Sequence, residues 1–113
     1  MRRKRLSDDP CPIARALDVI GDWWSLLIVR EALHGTCRFS DFQHHLGLAK
    51  NILSTRLRKL VDNGVLETRP SAERSDHNEY HLTEKGLRLE PVLLALSTWG
   101  KENLFNEEEA EQA

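Results

Sequence analysis

The chain predicts an α+β fold, mostly helical, and three observations carry that prediction. Apolar residues recur at helical spacing through most of its length. Gly47 separates two short amphipathic segments, and Asn63-Gly64 precedes a change to extended, β-branched sequence. A polar, turn-rich run at 70–78 then divides two strand-like stretches, 65–69 and 79–82. The 113 residues, 40% hydrophobic and 30% charged, suit one domain with a single core.

Residues 1–10 read as a flexible basic arm carrying Arg2, Arg3, Lys4 and Arg5. Pro12 suits the first turn of a helix, with Ile13, Leu17 and Ile20 on its apolar face. Gly21 breaks that helix, and Asp22 can cap a second one over 23–33. Trp24, Leu27, Ile28 and Val29 give this second helix a buried, central character, and His34-Gly35 ends it. Cys37-Arg38-Phe39 is a short extended piece, after which Ser40 is the expected N-cap of a helix carrying Phe42 and Leu46. Gly47 stops that helix and the next begins almost at once.

This next helix, 49–64, has two faces. Leu53, Leu57, Leu60 and Val61 recur at i, i+4, i+7 and i+8 as one apolar stripe. Asn51, Ser54, Thr55 and Arg58 project the other way, with Lys50 at the start and Lys59 on the flank. That polar face lacks a carboxylate until Asp62, so it can meet base edges and phosphates without repelling a polyanion. Two short helices around a glycine turn, followed by two strands around a polar loop, form a helix-turn-helix with a hairpin wing. Thr83 opens another helix, interrupted near Glu90-Pro91 because proline disfavours helical geometry in the residue before it. Pro91 starts a final helix whose Val92, Leu93, Leu96 and Trp99 make a face broader than one small core needs. Part of that face is expected to cover a second subunit. The single domain is thus expected over 11–104, with a disordered acidic tail at 105–113.

The net charge of −2 conceals an asymmetry. Residues 38–74 carry seven lysines and arginines against four carboxylates, which is compatible with one basic face. No apolar run reaches the roughly 18–20 residues that span a bilayer. Nor does an apolar stretch of the secretory type follow the basic N-terminus, so no membrane partner and a cytoplasmic location are expected. Two cysteines, Cys11 and Cys37, do not make a disulfide framework. A phosphate-binding glycine loop, a paired-carboxylate cleft and a placed Ser/His/Asp set are all missing, so no enzyme activity and no cofactor are expected.

Beyond these readings, the motifs resemble a known family. They are Cys11-Pro12-Ile13, the run from Ile20 to Ile28, Arg38-Phe39-Ser40-Asp41-Phe42, Leu53-Ser54-Thr55-Arg56-Leu57, Asn63-Gly64-Val65-Leu66, the run from Glu79 to Gly86, and Trp99-Gly100. Their order and spacing resemble the HxlR family of bacterial transcriptional regulators from about Cys11 to Trp99. The resemblance implies a homodimeric winged helix-turn-helix protein of MarR-like architecture, acting on a double-stranded DNA operator, with repression the expected sign. It places the helix around 50–63 in the major groove and the loop around 74–78 beside the minor groove or backbone. Ile13, Leu17, Val92, Leu93, Leu96 and Trp99 then fall in the dimer interface. Half-sites one helical turn apart, about 34–36 Å, would follow. Three departures stand out: Ala49 where the family usually has Ser or Thr, Ser75-Asp76-His77-Asn78 in the wing where Pro and Arg are expected, and the acidic tail. The missing cap hydroxyl at Ala49 weakens the helix start by about 1 kcal/mol.

The expected DNA contacts are Arg38, Ser40, Lys50, Asn51, Ser54, Thr55, Arg56, Arg58 and Arg74. Arginine and lysine suit guanine, asparagine suits adenine, and hydroxyls suit either base or phosphate. Arg56 lies nearest the apolar side, so internal pairing competes with phosphate contact. Cys11, at a helix N-terminus, is a candidate redox or electrophile sensor by resemblance to family members that respond to quinones and oxidants, the alternative being a small residue packed at the dimer interface; Cys37 is the weaker candidate as its redox partner. Adjacent His44 and His45 diverge by about 100° on a helix. With His77, His81 and Cys37 they match no strong zinc spacing, so no metal site is expected. Trp23, Trp24 and Trp99 read as core or interface in preference to a small-molecule effector pocket. The competing overall reading is a winged-helix protein-interaction module that binds no nucleic acid.

Overall fold

The computed structural model of the chain describes residues 6–73 and 77–108. Six helices and one hairpin follow in order: α1 (Pro12–Ile20), α2 (Ser25–Leu33), α3 (Phe39–Leu46), α4 (Lys50–Asp62), β1 (Leu66–Pro70), β2 (Asn78–Leu82), α5 (Glu84–Leu87) and α6 (Glu90–Leu104). This is the winged helix-turn-helix that the glycine punctuation predicts. The basic residues of the expected N-terminal arm and Arg74 and Asp76 of the wing lie outside the described residues, as do 109–113 of the acidic tail. Within the expected arm, Leu6–Asp8 forms a 3-10 turn. It is tied to α1 by Arg15 Nε donating to the Asp9 carbonyl at 2.5 Å and the Cys11 N–H donating to Asp9 Oδ1 at 2.9 Å.

The core is built where the helical periods converge. Ile28 and Val29 of α2, Phe42 of α3, Leu53, Leu57 and Leu60 of α4, Leu66 of β1, and Leu48 and Val65 from the connecting segments form one buried cluster. Each fully buried leucine of this kind contributes roughly 1.5–3 kcal/mol of transfer free energy. Val61, the fourth member of the α4 stripe, packs against the cluster from its edge. Gly47 makes the tight turn between α3 and α4 possible: its φ of 65° is left-handed, where a side chain is strained. Gly86 of α5 solves a different problem. A Cβ there would lie 2.2 Å from the Val65 carbonyl oxygen, so only glycine lets α5 close on the start of the wing.

Two helix starts differ from expectation. The second helix begins at Ser25, not Trp23. Asp22 turns the chain by accepting from the Trp24 and Ser25 N–H groups, both at 2.9 Å, which leaves Trp23 outside the helix and 87% exposed. Trp23 is therefore not a core residue of this chain. The third helix begins one residue before Ser40, with extended Arg38 at the cap position and no side-chain cap bond. Thr83, by contrast, caps α5 as read, its Oγ1 accepting from the Gly86 N–H at 3.0 Å. The helix break falls at Arg88 and Leu89, so that Pro91 occupies the first turn of α6.

The wing is an antiparallel pair in which Leu66 faces Leu82 and Pro70 faces Asn78. A Ser71 N–H bond to the His77 carbonyl, 2.8 Å, extends it by one rung. A bridge between Arg38 and Glu79, with the Tyr80 N–H donating to the Cys37 carbonyl at 2.7 Å, sets the segment before α3 along β2. Outside this body, α1 buries only Ile20, and α6 buries none of its residues. Among the described residues no helix is long and apolar enough to cross a membrane.

Candidate nucleic-acid interface

On α4 three of the four stripe residues are fully buried, Val61 is partly buried, and the opposite face is open. Lys50, Asn51, Ser54, Thr55 and Arg58 are all exposed, whereas Leu53, Leu57 and Leu60 carry the helix on the core. The helix starts at Ala49, whose backbone is extended and whose methyl caps nothing, leaving first-turn N–H groups free of a side-chain partner. Its far end is closed by other means. Lys85 Nζ donates to the Asn63 carbonyl at 2.6 Å and the Asn63 amide donates to the Lys59 carbonyl at 2.8 Å.

Not every expected contact residue is equally available. Thr55 spends its hydroxyl proton on the Asn51 carbonyl, 2.8 Å away, so in this rotamer it can only accept. Arg56 turns inward: its Nε lies 3.5 Å from Asp22 Oδ1, and Lys59 Nζ lies 4.0 Å from Oδ2 of the same carboxylate. The Arg56 Nε is buried without a hydrogen bond of acceptable geometry, so its contact with Asp22 is one of charge attraction. Asp22 is occupied by stronger partners, including the Ser25 hydroxyl at 2.5 Å. Burial raises the Asp22 carboxyl, but the Ser25 hydroxyl and the Trp24 and Ser25 backbone donors, with Arg56, outweigh it and hold the group below its ordinary value. This network links α4, through Arg56 and Lys59, to the α1–α2 corner.

Ser40 is exposed on α3. Arg38, also exposed, is ion-paired with Glu73 at the end of the wing, and that bond and charge hold its guanidinium above the ordinary value. The Glu73 carboxylate therefore competes with a phosphate for the Arg38 guanidinium. Arg38, Phe39, Ser40, Ser71, Glu73 and His77 line a cleft of about 490 Å³ between α3 and the wing.

The cysteines differ. Cys11 is exposed at the cap position of α1. Cys37 is half-buried, and burial followed by the Glu79 charge pushes its thiol up, which disfavours the thiolate that redox chemistry needs. His45 Nδ1 lies 2.9 Å from Glu31 Oε1, across α2 and α3, while His44 stays exposed. The structure does gather one set that sequence spacing missed: Cys37, Glu79 and His81 present donor atoms all within 4.8 Å of one another. No local signal marks it, because strand pairing alone joins the segment before α3 to β2.

Of the expected interface residues, Ile13 is 70% and Trp99 59% exposed, and Leu17, Val92 and Leu96 are also open. Leu93 instead packs partly on the chain's own core.

Comparison with known proteins agrees with this geometry. The family model described as HxlR-like helix-turn-helix matches residues 19–108. The chain belongs to that family, whose relatives are named as transcriptional regulators and not as enzymes. One such relative, an HTH-type transcriptional regulator of Mycobacterium bovis, is 40% identical over 92 residues, covering 81% of this chain. The chain spans only 58% of that relative's length. The solved structure of PA1607, named as a candidate transcription factor, is 52% identical with a TM-score of 0.85, over 89% of this chain and 70% of that one. The redox regulator HypR, in its oxidised form, is 32% identical with a TM-score of 0.69, over 82% of this chain and 97% of that one.

Proposed function

We propose that the chain is a sequence-specific double-stranded DNA-binding transcriptional repressor that works as a homodimer. One observation carries the reading: α4 is anchored through fully buried Leu53, Leu57 and Leu60 while Lys50, Asn51, Ser54 and Arg58 stand exposed on its outer face. Asn51 and Arg58 would read base edges, with Lys50 and Ser54 on phosphates or bases. Arg38, Ser40, Thr55 and Arg74 would assist on the backbone, and Arg56 would act by orienting α4.

The homodimer follows from the family resemblance and from the open apolar faces of α1 and α6, for which the proposed occupant is a second copy. Ile13, Leu17, Val92, Leu96 and Trp99 would be covered there, with Leu93 bridging to the core. Regulation would come from an electrophile or oxidant acting on exposed Cys11, a reading supported by the likeness to HypR. Cys37 is the poorer redox partner because its thiol is pushed up. Modification would need to change DNA affinity between two dimer geometries, since equal affinity shifts nothing.

The test is a footprint on the DNA upstream of the chain's own gene, repeated with Asn51→Ala and Arg58→Ala. Each variant should lose about 1–3 kcal/mol of specific binding while melting like the parent. Lack of any DNA affinity at low salt would overturn the reading in favour of a protein-interaction module. Mass spectrometry after mild quinone treatment tests the effector: unmodified Cys11 with unchanged footprinting removes it as the sensor.

A further inference from the structure

The geometry points to a transition-metal site at the base of the wing, which we propose binds a thiophilic divalent ion of the zinc class through Cys37 Sγ, a Glu79 carboxylate oxygen and a His81 ring nitrogen. All three donors lie within 4.8 Å of one another and all three residues are half-buried. Glu79 and His81 stand two apart on β2 and so share one face of the strand. Their donors already meet, His81 Nε2 lying 2.9 Å from Glu79 Oε1. Cys37 is held alongside by the backbone bond from the Tyr80 N–H to its carbonyl, 2.7 Å.

Bond lengths of about 2.0–2.3 Å place the donors of a tetrahedral zinc ion about 3.3–3.6 Å apart. The observed donors, all within 4.8 Å of one another, lie close to that spacing. The donor set also selects the metal. A thiolate and an imidazole favour zinc, cobalt or copper over magnesium and calcium, which prefer all-oxygen cages. Three protein donors leave a fourth position for water. On binding, the ion displaces the Cys37 proton to solvent and replaces the Glu79–His81 hydrogen bond with two metal bonds.

The consequence lies in connectivity. Cys37 belongs to the segment that launches α3, and Glu79 and His81 belong to the wing. A bound ion would lock the wing to the helix-turn-helix and fix the width of the cleft between them. Metal binding itself stands whether or not α4 reads DNA.

Cobalt(II) titration of the chelator-treated full chain tests it. The expected result is one equivalent bound, with thiolate-to-cobalt absorption in the near ultraviolet and tetrahedral bands in the visible. Cys37→Ser should abolish the charge-transfer band. Glu79→Gln and His81→Gln should each weaken binding by more than about tenfold, the loss that even an outer-sphere partner can cause. Cys11→Ser should change nothing. Circular dichroism of the metal-free variants, matching the metal-free parent, separates ligand loss from misfolding. A parent chain without cobalt bands, bands that survive Cys37→Ser, or bands that vanish with Cys11→Ser would each overturn the site.

Discussion

The α2–α3–α4 body and the α1/α6 pair both carry apolar helix faces, yet they solve burial differently. In the first, Ile28, Phe42, Leu53, Leu57 and Leu60 are wholly enclosed by the chain itself. In the second, α6 runs fifteen residues without burying one, and Leu94, Leu96 and Trp99 face outward. A sheet and three helices suffice to close a core, whereas the two flanking helices leave most of their apolar surface open. The difference matches the proposed division of labour, in which the body would hold α4 rigid for DNA and the flanking helices would join two copies.

The comparison can be broken most severely in the body. Leu57→Ala should cost about 2–5 kcal/mol, because the cavity it leaves sits among close-packed neighbours, and denaturant unfolding will show a lowered midpoint. The matching change on the other side, Leu96→Glu, should barely alter the folded monomer. It should convert a dimer to a monomer in light scattering; a dimer that persists would place the interface elsewhere.

Smaller effects probe the joint between the regions. Asp22→Ala removes the acceptor for the Trp24 and Ser25 N–H groups and should cost about 0.5–2 kcal/mol. The pH dependence has a definite sign. Because the folded carboxyl titrates below its ordinary value of 3.8, its contribution is fully present above that value and is lost as pH falls through the lowered one. Asp22→Asn should flatten that acid limb in melts below about pH 4. The smallest change should be a gain: Ala49→Ser adds a cap hydroxyl at a position already extended, for about 0.5–1 kcal/mol of added stability. No gain would mean that the first-turn N–H groups are satisfied by solvent alone.

Element by element, legibility followed the range of the interaction. The α4 stripe, the Gly47 and Gly64 stops and the Thr83 cap depend on neighbours within a turn or two, so the residues declared them. The start of α2 was misplaced because Asp22 makes its cap bonds to Trp24 and Ser25, which moves Trp23 into solvent. Ser40 was misread as a cap because the bridge from Arg38 to Glu79 extends the backbone one residue earlier than propensity suggests.

By itself, then, the amino-acid sequence determined the helix-turn-helix, the wing and the polar face of α4, since periodicity and turn chemistry are local. Only the tertiary structure decided that Arg56 serves Asp22, that Arg38 is held by Glu73, and that Cys37 meets Glu79 and His81. Those are meetings of charged and ligating side chains from distant segments. No local period encodes them, because core packing and strand register set which distant side chains come within reach.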